Sequence, residues 1–276
     1  MDRWWEIFER LWWADGQATL YGLAAIALLT CAELAFPAEE GQGARGRVRN
    51  VVFLVQFKVL GLAALAVWYG WGPQIRIAFP EPGPVARAGL VFANLLAIDF
   101  LYYWYHRAQH RFDFLWAIHE LHHSDTELNA TSSYRTYWLE APVQTMLVIA
   151  PTTIFFGFLG PSHGLRVLGF SLFFLILAHA NVRLRLGPLT GWVVGPQVHR
   201  IHHSRLPPHR DRNFAQSFPV LDRLFGSYYA PGYDEFPPTG AEGLASDASL
   251  PTVMLQPFRI WTGIVARVFG AEGTRN

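Results

Sequence analysis

Long stretches without charge dominate the chain. Residues 16–32 form a charge-free run closed by Glu33. Residues 50–75 are apolar apart from Lys58, residues 88–105 apart from Asp99, and residues 141–160 carry no charge despite Pro142 and Pro151. A fifth run, 167–178, reaches membrane length only when 164–166 and 179–182 are added. A hydrocarbon layer about 30 Å thick takes about 20 helical residues to cross. The pattern therefore predicts an all-α, multi-pass transmembrane helical bundle, with three spans and a hairpin through 141–178 that crosses or re-enters. Before the first span, Trp4, Trp5, Phe8, Leu11 and Trp12 recur at helical spacing opposite Arg3, Glu6 and Arg10. That suits a helix lying in the membrane interface. Asp2, Glu6 and Glu9 exclude reading this stretch as a signal peptide. Met254, Phe258, Trp261, Val265 and Phe269 repeat the helical spacing near the other end, predicting a tail helix packed on the rest of the chain or on lipid.

Composition agrees with the pattern. Of the 276 residues 51% are hydrophobic and only 16% charged, against about 25% charged in soluble domains. That deficit argues against both a disordered chain and an ordinary cytosolic enzyme. The net charge of +1 argues against a nucleic-acid partner. A single cysteine, Cys31, rules out a disulfide scaffold, an intrachain iron–sulfur cluster and a cysteine-rich zinc site. Arginine placement sets the expected orientation. Arg45, Arg47 and Arg49, then Arg107, Arg111 and Arg135, and most arginines after 182 fall on one side; Arg76, Arg87 and Arg166 fall on the other. The arginine-rich side is expected to be cytoplasmic. Three regions follow: 1–105 with the interfacial helix and first three spans, 106–230 with the chemistry and the hairpin, and 231–276 as a tail.

That chemistry lies in histidine. Eight of the eleven histidines occur in HRAQH (His106, His110), HELHH (His119, His122, His123) and HRIHH (His199, His202, His203), and His179 ends the last apolar run. Positions i, i+3 and i+4 share a helix face, so each cluster is expected to aim its imidazoles one way. A lone histidine is more often a hydrogen-bonded structural group, and one i, i+4 pair is weak evidence for a metal. Three clusters at ligand spacing within about 100 residues are strong evidence. The predicted topology delivers all nine side chains to the arginine-rich mouth of the bundle. Nine ligands exceed what one tetrahedral zinc accepts, so two ions are expected.

His119-Glu120-Leu121-His122-His123 also contains the H-E-x-x-H pattern of zinc proteases, in which the glutamate is the general base. That reading gives no role to His122 or to the third cluster, where Arg200 stands in place of Glu120. A non-catalytic metal transporter or sensor is the other alternative. It would need ligands spread along a membrane path.

The order and spacing of HRAQH, HELHHSD, HANVRL and HRIHHS resemble the fatty acid hydroxylase / sterol desaturase superfamily of membrane di-iron enzymes. The stretch from Asp99 to Arg107 and the segment from Asp211 to Tyr229 are similar to that family as well, with Ala215 where glycine is common and Leu221 where tryptophan is common. The resemblance covers residues 90–230. It implies membrane helices under a cytosolic helical cap that holds two irons on the histidines, a site zinc can occupy in purified protein. It implies O2-dependent hydroxylation or desaturation of a lipid C–H bond. Reduction must come from outside, because Cys31 alone cannot hold an iron–sulfur centre. A ferredoxin- or cytochrome-type donor is therefore expected.

Asp99, four residues before Tyr103 and seven before His106, shares a helical stripe with the first cluster. A carboxylate inside a span is costly and usually functional. It is expected to accept the second ring N–H of a ligand histidine, the bland alternative being an ion pair with Lys58. Tyr103, Glu140, Asn181 and Asp222 are further candidates for holding ligands in place. His163 is expected in a turn on the far side of the membrane and His209 on the cap surface. Arg205, Arg210 and Arg212 are expected on a solvated face.

Overall fold

The computed structural model describes residues 2–72, 82–156 and 161–270. Among these residues secondary structure is helical, with two isolated β-bridges and no sheet. Helices α1 (Asp2–Ala35), α2 (Ala44–Trp71) and α3 (Pro84–Arg111) are long and apolar enough to cross a membrane. The interfacial helix and first span expected from the sequence are one continuous helix. Gly16 in its interior costs about 1 kcal/mol, which does not break 34 residues of otherwise helical sequence.

The expected hairpin is built from α5 (Glu140–Gln144), a π-helical turn (Thr145–Ile149) and α6 (Ala150–Phe156), followed by α7 (Pro161–His179). Pro142 falls in a first helical turn, where its missing N–H is tolerated. Pro151 lies deeper, and the turn before it widens to π geometry, a usual accommodation of a lost hydrogen bond. The apolar helix within α7, Arg166–His179, is shorter than a full span. Arg76 lies outside the described residues, and His163 falls in the first turn of α7 rather than in a turn between elements.

Polarity is inverted relative to a soluble protein. Leu20, Leu28, Val51, Val55, Val59 and Phe92 are exposed along the long helices, while charged and amide groups are buried at one end. At that end Glu33, closing α1, pairs with Arg47 near the start of α2 and accepts the backbone N–H groups of Ala130 and Asn181 at 2.7 and 2.8 Å. Arg135 is fully buried. It donates to Ser124, to the carbonyls of Leu121 and Ser246, and to Asn50. At the opposite end Trp4 packs edge-on against Trp71, ring centroids 5.0 Å apart, and Trp5, Trp12 and Trp13 are exposed, as in an interfacial aromatic belt. The bundle thus has an aromatic end and a polar end. α3 ends, α7 ends and α4 (Asp113–His123) starts at the polar end.

Candidate metal centre

All nine clustered histidines meet at the polar end, supplied by α3, α4, α7 and α8 (Pro196–His202) with His203 just beyond it. They form two compact groups. His106, His110, His119, His123 and His202 make one; His122, His179, His199 and His203 make the other. The groups adjoin, with the rings of His123 and His203 stacked at 4.4 Å.

The partition corrects the expectation that each cluster points one way. In both H-x-x-H-H clusters the i and i+4 rings stay together and the i+3 ring turns to the other group. α4 sends His119 and His123 to the first and His122 to the second; α8 sends His199 and His203 to the second and His202 to the first. At 100° per residue, i and i+4 are separated by 40° and adjacent i+3 and i+4 by 100°. The repeated motif therefore lets each helix serve both groups.

The donor set fits metal ions. Nε2 of His122, His179, His199 and His203 follow one another at 3.2, 3.1 and 3.1 Å, and Nε2 of His123 lies 3.1 Å from His110 and 3.2 Å from His119. A neutral ring nitrogen offers one proton or one lone pair. Rows of this kind cannot all be hydrogen-bonded, whereas nitrogens about 2.1 Å from a shared ion stand about 3.0–3.4 Å apart. Three rings have their other nitrogen fixed on a backbone carbonyl: His106 on Phe214 at 2.8 Å, His179 on Leu175 at 2.7 Å and His202 on Arg212 at 2.8 Å. A proton on Nδ1 there leaves the Nε2 lone pair facing the group, and Nε2 of His106 and of His202 is buried without a protein partner.

The segment 211–218 holds two of those rings and is itself held by carboxylates. Asp222, in the short helix α9 (Val220–Leu224), accepts the backbone N–H of Phe214 at 2.7 Å and of Ala215 at 3.0 Å, together with the Ser227 hydroxyl. Asp99 accepts the next three, from Gln216, Ser217 and Phe218, at 2.9, 3.0 and 2.8 Å. Five consecutive N–H groups are thus captured by two buried acids, and Asp211 and Asn213 adopt positive φ to shape the segment. Asp99 accordingly takes backbone amides instead of the expected imidazole N–H. The expectation failed because these partners lie over a hundred residues away and carry no side-chain signature. Burial raises the Asp222 carboxyl, against the lowering effect of its hydrogen bonds.

Two acids approach rings of the first group: Asp211, whose Oδ1 lies 3.5 Å from Nδ1 of His110, and Glu140. The Oε2 of Glu140 is 3.8 Å from Nδ1 of His119, and its carboxylate accepts from Tyr105 and twice from Gln109. Gln109, between the two histidines of the first cluster, carries no signal in the sequence beyond its position in HRAQH. Tyr103 bonds Ser227, which bonds Asp222, so it reinforces the same segment. Asn181 lies apart from the rings and braces the α1–α2 connection through both the N–H and the carbonyl of Glu39. His209 is buried rather than on a surface. It bridges Ser204 at 2.8 Å and Glu235 at 3.0 Å and belongs to neither group. Arg205 and Arg210 are exposed and Arg212 half-buried.

The fatty acid hydroxylase family model matches residues 91–227, which contain all nine histidines, Asp99 and Asp222. The chain belongs to the fatty acid hydroxylase / sterol desaturase superfamily. Within that superfamily it is 33% identical to human alkylglycerol monooxygenase over 143 residues, 50% of this chain and 30% of the human protein. The alkylglycerol monooxygenase of Xenopus tropicalis is 33% identical over 169 residues, 61% of this chain and 36% of that protein. Ornithine lipid hydroxylase OlsE of Rhizobium tropici is 27% identical over 187 residues, 65% and 53% of the two chains. The matched part therefore spans about a third of the alkylglycerol monooxygenases and about half of OlsE. No solved structure matches the chain.

The superfamily site has a consequence for acid stability. Burial, followed by the neighbouring imidazoles, holds His119, His123, His199 and His203 well below the ordinary imidazole value of 6.5. Such a ring binds fewer protons folded than unfolded once pH falls below the unfolded value. Its stability is present above that value and lost below it, by up to about 1.4 kcal/mol per ring per pH unit. Thermal melts of chelator-treated protein should therefore shift steeply downward from pH 7 to pH 5.5. A flat profile would show the rings to be solvated.

Proposed function

We propose that the chain is an integral-membrane oxidoreductase that hydroxylates a lipid, with two irons held by the nine histidines at the cytoplasmic end of the bundle. Two adjoining all-histidine groups at the polar end of an apolar bundle carry this reading. Bound there, iron supplies reductive activation of O2 and removal of hydrogen from an unactivated C–H bond. Zinc can take the same nitrogens in purified protein without that redox chemistry. Imidazoles bring no charge to balance the ions, unlike the carboxylates of soluble di-iron bundles.

The protein's contribution is geometric. The Phe214 and Arg212 carbonyls fix the ring proton of His106 and His202 on Nδ1, while Glu140 with Gln109 and Tyr105 flanks His119. Phe214 and Trp116 pack against the first group, and the Asp211 carboxylate lies beside His110. A lipid reaches such a site from the membrane side, and electrons reach it from the aqueous side through a ferredoxin- or cytochrome-type carrier. The named relatives act on alkylglycerols and ornithine lipids, and a lipid amphiphile with a polar headgroup is the substrate class proposed here. Hydroxylation is favoured over desaturation on the same ground.

Lipid mass spectrometry of cells with and without the protein tests the reading. A lipid gaining one oxygen only with the wild-type chain, and not with His122→Ala, is expected; identical lipid profiles would contradict it. The protease alternative is separated by Glu120. Its carboxylate belongs to neither histidine group and accepts from Gln256 at 3.0 Å. Glu120→Gln is isosteric and keeps an oxygen to accept from Gln256, so lipid oxidation should persist. Loss of a peptidase activity in that variant would restore the protease.

A further inference from the structure

Helix α10 (Leu250–Gly270) crosses the polar end of the bundle and is not needed to build the metal centre. Its inner face is fixed. Val253 is buried with Phe53 of α2, Ile118 and Leu121 of α4, and Tyr137, whose hydroxyl donates to the Met254 carbonyl at 2.8 Å. Further along, Trp261 stacks on Phe114 at 5.2 Å and donates to its carbonyl at 2.9 Å. α10 therefore runs from the flank of α2 to the junction of α3 and α4, where two of the membrane-length helices meet the polar end.

Its outer face is apolar and uncovered. Leu255, Phe258, Val265 and Phe269 recur at helical spacing and are all exposed, Phe269 by 69%, with Val268 beside them and Phe112 and Phe114 exposed at the α3–α4 junction. Residues 250–270 contain Arg259 and Arg267 and no acidic residue, and Arg111 ends α3 nearby. Among the described residues Asp113 meets this edge in an exposed pair with Arg267 at 3.3 Å, a contact of little energetic weight, and Glu120 lies on the inner side under Gln256. Two observations say what covers the face. It continues the outward apolar surface of α2, where Val51, Val52 and Val55 flank the Phe53 that α10 packs against. Its charge is basic, complementary to an anionic leaflet.

Resting on the reading of α1–α3 as spans, we infer that α10 lies in the membrane plane with its Leu255–Phe258–Val265–Phe269 face seated in an anionic lipid surface. An aromatic and basic amphipathic helix of about this length is the usual form of such an anchor. The anchor is coupled to the site. α10 grips α4, the source of His119, His122 and His123, through Trp261 and through Gln256 on Glu120, and so sets these histidines at headgroup depth.

Full-length protein with Cys31→Ser and one new cysteine, Phe258→Cys or Val265→Cys, is labelled with an environment-sensitive fluorophore. It is reconstituted in vesicles of equal parts phosphatidylglycerol and phosphatidylcholine. Phe92→Cys on α3 serves as the membrane control and the exposed Glu242→Cys as the aqueous control. Labels at 258 and 265 should be quenched by nitroxide lipid as strongly as at 92 and be shielded severalfold from iodide relative to 242. Adding Arg259→Glu and Arg267→Glu should weaken lipid quenching at 265. Iodide quenching equal to that at 242 would overturn the inference. So would shielding from both quenchers, which would mean that protein, such as a second copy of the chain, covers the face. If the label at 92 also escapes lipid quenching, the membrane reading itself fails.

Discussion

Replacing His202 with alanine should abolish lipid oxidation in cells, to below about one hundredth of wild type, and should release metal from the first group. The estimate is a lower bound. Loss of groups that merely orient a ligand costs about 10–100-fold in metal affinity or activity, and His202 is placed to ligate directly. Its Nε2 is buried without a protein partner while its Nδ1 is tied to Arg212. It is also the only ring that α8 contributes to the first group, so its loss cannot be made good from the same helix. His209→Ala is the matched control. It removes an equally buried imidazole seven residues away, but one bound to Ser204 and Glu235. It should lower thermal stability and leave metal content per folded chain unchanged. Equal metal loss in both variants would show that the effect is structural collapse rather than ligation.

The second large effect is expected from Asp222→Asn. An aspartate offers two acceptor oxygens to Phe214, Ala215 and Ser227. An asparagine offers one, and turns an N–H₂ toward at least one backbone N–H. A buried donor left without an acceptor costs about 1–3 kcal/mol, and two such losses approach half the stability of a typical domain. The damage should reach the metal, because the same Phe214 accepts the Nδ1 proton of His106. Thermal melts and metal content should fall together, and Asp99→Asn should reproduce the effect through Gln216, Ser217 and Phe218. Wild-type stability in both variants would contradict the role assigned to segment 211–218.

These two cases mark where the sequence was legible. Metal-facing histidines announce themselves, because imidazoles at i, i+3 and i+4 in three clusters have few other uses. The charge-free runs likewise foretold the three long helices. Asp99 and Asp222 showed that something was held, but not what. Their partners are backbone amides, identical in every residue type, brought near only by folding. The division of each H-x-x-H-H motif between two groups was equally hidden. It depends on where the second helix stands, not on the 100° step alone. His209 lies among Pro207, Pro208 and Arg210, which suggest a surface, yet Glu235 from a later loop pairs with it and it is buried.

The central claim is that two groups of histidines each hold an ion. Metal analysis of purified wild-type protein beside His199→Ala and His119→Ala tests it most directly. About two ions per folded chain are expected in wild type, with each variant losing the ion of its own group. A single ion per chain, lost with His119→Ala and kept with His199→Ala, would contradict the account and leave the second group without an ion.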